Sequence, residues 1–296
     1  MVSRSSISAA AIARCRVNTL MREMRETLRA TFGRVLGIEN RRRALRPGQL
    51  ESIASFQSKI LDNTRQITIY LPPGYERGDA RYPALYVQDG QNLFEPARAF
   101  IPGQHWRLDE AANAAISERT ARPMIIVAVD HAGPERIDEY TPTYDPSRQA
   151  GGRAGDYALM LIEELKPVID ARYRTLPDTA AGGSSLGGLV SLYLGLTRPE
   201  IFSRLGVMSP SVWWNNRTIL KTVDRFAGPR PRLWLDVGGR EGRDTLRDAR
   251  ALRDRLQNEG WTDADLGYFE DPRGDHSERA WARRARKMLE FLYPPV

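Results

Sequence analysis

The 296-residue sequence is 41% hydrophobic and 27% charged, which suits one large soluble α/β domain with room for a short extension. No stretch approaches the roughly eighteen apolar residues of a membrane span, and the single cysteine, Cys15, excludes an internal disulfide, so a reducing, cytoplasmic setting is expected. No Cys/His cluster has metal-ligand spacing, no cofactor is implied, and the net charge of +7 comes without a nucleic-acid motif; it reads as a solvated basic surface, compatible at most with an anionic small-molecule substrate.

Residues 1–46 read as an N-terminal extension. Leu20, Met24, Leu28 and Phe32 recur at helical spacing. The arginines and serines before Glu23 also match the composition of an organelle transit segment; the expectation adopted is an exposed helix. Arg41-Arg42-Arg43 and Pro47-Gly48 break that pattern, so a catalytic domain is expected over 47–296. Residues 52–60 and 66–71 alternate like neighbouring antiparallel strands, the second ended by Pro72-Pro73-Gly74. Residues 84–88 and 124–130 are short apolar runs of the kind buried on both faces of a sheet.

From there strands and helices alternate. Helices are predicted at 156–171, 186–196, 244–258 and 278–292, with strands at 179–183, 205–208, 232–237 and 266–270. Such alternation implies a mostly parallel sheet covered on both faces, with the opening antiparallel strands at its edge.

Gly183-Ser184-Ser185-Leu186-Gly187 matches G-x-S-x-G between a predicted strand and a predicted helix. A nucleophilic hydroxyl must project from a tight strand-to-helix turn so that base and substrate both reach it, and glycines at 183 and 187 keep strand and helix from colliding. The helix start favours developing negative charge, and the Leu186 N–H is the natural first oxyanion donor. No lysine follows in phosphate-loop spacing.

Three histidines are present, His105, His131 and His276, and His276 alone follows the elbow. It stands between the last strand and the last helix, where a loop can deliver neutral imidazole to Ser185. The acid is expected in the loop Gly238-Gly239-Arg240-Glu241-Gly242-Arg243-Asp244, where Glu241 and Asp244 are the candidates. Either carboxylate can orient an imidazole, and Asp244 also suits a helix cap.

The chain from about residue 50 onward resembles the esterase family of α/β hydrolases that includes enterochelin-type esterases, feruloyl esterases, S-formylglutathione hydrolases and mycolyltransferases. The matching stretches are Ile69-Tyr70-Leu71-Pro72-Pro73-Gly74-Tyr75, Tyr82-Pro83-Ala84-Leu85-Tyr86, Asp89-Gly90-Gln91-Asn92-Leu93-Phe94, Glu139-Tyr140-Thr141-Pro142, the elbow, and Ser209-Pro210-Ser211-Val212-Trp213-Trp214. The resemblance implies the α/β-hydrolase fold and a serine esterase working through an acyl-enzyme. It also implies Gln91 as second oxyanion donor, Glu241 as the acid, and Trp106, Trp213 and Trp214 near the pocket mouth. Acyl transfer to an alcohol and a non-catalytic binding protein are the rival functions on the same scaffold.

Overall fold

A computed structural model describes residues 47–295; the extension expected over 1–46 lies outside the described residues. The chain opens with an antiparallel pair, β1 (Gln49–Ser58) and β2 (Asn63–Leu71), in the register Gln49↔Leu71 with a bulge between Ile53 and Phe56. There follow β3 (Tyr82–Gln88), α1 (Leu108–Ser117), β4 (Ile125–Val129), α2 (Arg136–Tyr140) and a small hairpin, β5 (Tyr144–Asp145) with β6 (Ala150–Gly151). Next, α3 (Ala154–Leu159) runs through a π-helical turn (Met160–Leu165) into α4 (Lys166–Arg172). The remainder is β7 (Thr175–Ser184), α5 (Leu186–Thr197), β8 (Phe202–Met208), α6 (Trp214–Asp224), β9 (Arg232–Gly238), α7 (Arg243–Asn258), β10 (Leu266–Asp271) and α8 (Glu278–Leu292). No helix among the described residues is long and apolar enough to cross a membrane.

Eight strands form one sheet in the order β1-β2-β4-β3-β7-β8-β9-β10, parallel from β4 to β10 and antiparallel at the β1/β2 edge and at β2/β4. After β3 the chain steps outward to β4, then returns to the other side of β3 with β7. The winding direction therefore reverses between β3 and β7, and in such sheets a crevice opens beyond the carboxyl ends of the strands at that point. Gln88 ends β3 and Ser184 ends β7, so the Gln91 and Ser185 loops both rise there.

Strand residues alternate between two apolar layers, as the pleat requires. Leu85, Val87, Ile126 and Ala128 pack with Ala112 and Ala115 of α1 and with Met288, Leu289 and Leu292 of α8. Tyr86, Ile125, Val127, Ala181 and Leu205 pack on the other face with Leu189 and Leu192 of α5 and Ile169 of α4. Each such leucine, fully buried, contributes about 1.5–3 kcal/mol, so the sheet that carries the loops is a rigid base.

Two expectations need correction. The helix predicted over 156–171 is interrupted by the π-helical turn, because Pro167 has no N–H for the carbonyl of Glu163 and its ring crowds that oxygen. Helices α1, α2 and α6 were not anticipated. The buried face of α1 is largely alanine, a weak apolar signal, and α6 begins through Asn215, Asn216 and Arg217 in left-handed conformation (φ 41°, 55° and 61°).

Candidate active site

Ser185 sits at the tip of the β7–α5 turn with φ 55° and ψ −121°, a conformation that costs of order 1–3 kcal/mol for a non-glycine residue. Three backbone hydrogen bonds hold it. Its N–H donates to the Met208 carbonyl, and its carbonyl accepts from the N–H groups of Leu189 and Ser211, each at 3.0 Å. Gly183 makes the turn possible, since a Cβ there would lie 2.7 Å from the Gly187 carbonyl carbon. The Ser185 Oγ lies 3.0 Å from His276 Nε2 and 3.2 Å from Ser211 Oγ.

His276 stands on the loop between β10 and α8, and its Nδ1 lies 2.8 Å from Glu241 Oε2. The Glu241 side chain is fully buried, whereas His276 is 43% exposed toward solvent. Burial works against ionisation of Glu241, but hydrogen bonds from His276 and Ser209 outweigh it and hold the carboxyl below its usual range. The other oxygen, Oε1, accepts from Ser209 Oγ at 2.5 Å and from the Gly238 N–H at 2.8 Å. The loops carrying acid and base are bonded to each other: the Gly239 N–H donates to Asp271 O (2.7 Å) and the Arg240 N–H to Gly274 O (2.8 Å). That approach requires glycine at 238, where a Cβ would lie 2.5 Å from Gly274 O. Asp244 points away, 85% exposed and paired with Arg247 at 3.0 Å.

Opposite the elbow, Asp89 takes a left-handed conformation (φ 58°) and starts a short 3₁₀ turn over Gly90–Asn92. Gln91 and Leu186 each lie in the first turn of a helical segment, so neither N–H has an intrahelical acceptor. The Asp89 carboxylate is gripped by Arg136, whose Nε and Nη2 donate to Oδ1 (2.6 Å) and Oδ2 (2.8 Å). The Asp89 N–H donates to the Tyr140 hydroxyl at 3.2 Å, and the Arg136 guanidinium stacks 5.2 Å from the Tyr140 ring centre.

A cavity of about 510 Å³ opens over Ser185 and His276, walled by Phe100, Ile101, His131, Pro134, Ile137 and Trp281 among others. Phe100, Ile101 and Ile137 belong to the few large apolar side chains exposed on the surface, and all three form this rim. Trp281 meets the His276 ring edge-on at 4.9 Å and 82°. Burial pushes the His131 imidazole below its ordinary range, so it faces the cavity as a neutral group near pH 7.

None of the three tryptophans expected at the pocket mouth lines this cavity. Trp106, 2% exposed, lies behind Trp281 with ring centres 6.1 Å apart. Trp214, equally buried, donates its indole N–H to Thr143 O at 2.8 Å. Trp213 lies at the surface beneath the Arg148 guanidinium, 4.7 Å away. Large aromatics gain most from the core, and two of the three go there. Nothing local in the sequence marks Arg136, Ser209 or Trp281 as site residues. Ser209 lay within a motif already noted, but its role depends on partners distant in the chain.

A family model described as "Putative esterase" matches residues 58–292. The chain is 25% identical over 245 residues to YbbA of Bacillus subtilis, covering 77% of this chain and 92% of that protein. It is 27% identical over 219 residues to a siderophore enterobactin esterase of Emericella nidulans, covering 67% and 72%. In three dimensions it is similar to the BES protein from Bacillus cereus, with a TM-score of 0.69 and 24% identity over 82% of this chain and 94% of that one. That likeness shows the α/β fold with its mostly parallel mixed sheet.

Proposed function

Because the chain belongs to the esterase family of α/β hydrolases and is a carboxylic ester hydrolase, we propose that Ser185, His276 and Glu241 are its catalytic triad and that Leu186 and Gln91 form its oxyanion hole. The observation that carries this reading is the continuous chain from Ser185 Oγ to His276 Nε2 (3.0 Å) and from His276 Nδ1 to Glu241 Oε2 (2.8 Å).

Neutral His276 takes the Ser185 proton as the Oγ attacks the ester carbonyl, and Glu241 stabilises the imidazolium that forms. The N–H groups of Leu186 and Gln91 meet the tetrahedral oxyanion, a contribution of roughly 3–4 kcal/mol per donor. His276 then protonates the departing alcohol, leaving an acyl-enzyme on Ser185. Water activated by the same imidazole releases the carboxylic acid and restores the serine.

The substrate is a small-molecule ester, as the name of the enterobactin esterase relative states for that protein. Its acyl part sits against Phe100, Ile101, Ile137 and Trp281. The arginine in this wall, Arg136, is already neutralised by Asp89, so the cavity favours an uncharged acyl group over the anionic one that composition suggested. A cytoplasmic site of action is the reading supported by the single cysteine.

The test is hydrolysis of a short-chain p-nitrophenyl ester by wild type, Ser185→Ala and His276→Ala. Turnover by wild type with loss of about three orders of magnitude or more in both variants is expected. Comparable turnover by Ser185→Ala overturns the reading.

A further inference from the structure

Arg284 lies on α8 with its side chain only 1% exposed, deep between the β9 and β10 ends of the sheet. Its Nη2 donates to Ser209 Oγ at 2.8 Å and lies 3.1 Å from Asp236 Oδ1 and 3.6 Å from Glu241 Oε1. Asp236 is a wholly buried β9 residue. Ser209 is equally buried, in left-handed conformation (φ 42°), with its N–H bonded to Asp236 O at 2.8 Å. The Ser209 hydroxyl also accepts from the Trp281 indole N–H at 3.1 Å.

A hydroxyl has one proton and two lone pairs. Here Arg284 and Trp281 occupy the lone pairs of Ser209, so its proton is left to point at Glu241 Oε1. We infer that Arg284 is a positioning residue for the reaction: through Ser209 and by its own charge it fixes the Glu241 carboxylate, leaving Oε2 as the oxygen presented to His276. This rests on the triad reading above.

Stability alone does not account for the arrangement. A buried ion pair with Asp236 needs neither Ser209 nor Glu241, and an apolar pair of similar volume is often as stable or more so. Arg284 moreover faces three carboxylates rather than Asp236 alone, its Nη1 lying 3.8 Å from Asp271 Oδ2. The Glu241, Ser209 and Trp281 contacts all lead to two of the side chains that touch His276, Glu241 by hydrogen bond and Trp281 by its ring edge.

Charge makes the role visible in a pH profile. The charged and titratable groups around His276 are Glu241, with Arg284 and Asp236 behind it and Asp271 within 4 Å of Arg283 and Arg284; Asp275 and Glu278 close to it in the chain; and His131 with the Asp89–Arg136 pair, which line the same cavity. Removing Arg284 takes away one cation that opposes the imidazolium.

Because Arg284→Met alone strands two buried carboxylates, the test uses Asp236→Asn/Arg284→Met, which removes both charges of the pair, with Asp236→Asn as its reference. Arg284→Lys and Ser209→Ala accompany it, and cooperative thermal unfolding verifies that each is folded. Relative to Asp236→Asn, the double variant is expected to lose about 10- to 100-fold in kcat. Its KM stays within a few-fold, and the acidic limb of its kcat/KM profile moves up by about half a pH unit. Ser209→Ala loses kcat in the same direction, and Arg284→Lys, which keeps the charge, recovers most of the loss. A folded double variant with the reference kcat and an unmoved acidic limb overturns the inference. Ser185→Ala distinguishes the two failures: if it is inactive while the double variant is normal, the triad stands and only the role of Arg284 falls.

Discussion

Gln91 and Ser185 stand side by side because β3 and β7 are paired in parallel, with Val87 opposite Gly182, and each strand ends within a few residues of one of them. The carboxyl ends of two adjacent strands thus bring a short 3₁₀ turn and a helix start to the same spot, with N–H groups free of intrahelical partners. The base arrives from the far side, on the loop after β10, and the acid on the loop after β9. Four loops meet over one crevice although their residues are scattered over almost two hundred positions of sequence.

The identity of the acid is tested by comparing two carboxylates three residues apart, Glu241 in the loop after β9 and Asp244 in the first turn of α7. Glu241→Gln keeps the shape but loses the charge that orients and stabilises the imidazolium, and a kcat loss of about 10³–10⁴-fold is expected. Asp244→Asn, on an exposed side chain paired with Arg247, is expected to stay within about twofold. Steady-state rates on a p-nitrophenyl ester decide it; near-normal Glu241→Gln activity would point to a Ser-His dyad.

Arg136 is predicted to matter without touching the nucleophile. Its two hydrogen bonds to Asp89 brace the left-handed residue from which the Gln91 turn starts. Arg136→Ala should lower kcat by about tenfold or more while KM changes little, because the loss falls on the oxyanion. Stability should drop by about 1–3 kcal/mol, less than for a fully buried pair because Arg136 is partly exposed. Urea unfolding beside kinetics separates the two effects.

Asp236 gives the fold a pH signature. Burial pushes its carboxyl up to about 6, against the opposing pull of Arg284. Below about pH 4 the group is protonated both folded and unfolded, so it costs nothing. Between about 4 and 6 the folded chain retains the proton that the unfolded chain releases, and stability falls as pH rises; above 6 the full penalty is in place. Asn does not titrate. The stability of Asp236→Asn relative to wild type should therefore rise between pH 4 and 6.5, by up to about 3 kcal/mol for a shift of about two units. Denaturation midpoints at the two pH values show it, and a constant difference refutes it.

The apolar rim is expected to act on binding rather than chemistry. Ile137→Ser, at a 41%-exposed position lining the cavity, should raise KM for a bulky aromatic or long-chain ester several-fold and leave an acetyl ester nearly unchanged. Equal effects on both esters would remove Ile137 from the acyl site.

Local signals carried the elements that hold the chemistry. The buried strands showed as short apolar runs, and the final helix was read at its observed limits, Glu278–Leu292, from an apolar stripe at helical spacing. The G-x-S-x-G turn was legible because steric demands at Gly183 and Gly187 are local. Ser209, Arg284 and Trp281 were not, because each acts through partners tens of residues away that only the closed sheet brings near. The tryptophans misled for a related reason: a bulky aromatic near a site motif has the same appearance in sequence whether it faces a cavity or, like Trp106 and Trp214, the core. In the helix interrupted at Met160–Leu165, Pro167 was visible, but periodicity does not tell a widened turn from a regular one.

Treatment with a fluorophosphonate, followed by intact-mass measurement and peptide mapping, tests the serine nucleophile most directly. One adduct per chain on Ser185 is predicted, absent in Ser185→Ala and much slower to form in His276→Ala. Failure of the folded wild type to label, or an adduct mapped to another residue while Ser185 stays free, would contradict the assignment of Ser185 as nucleophile.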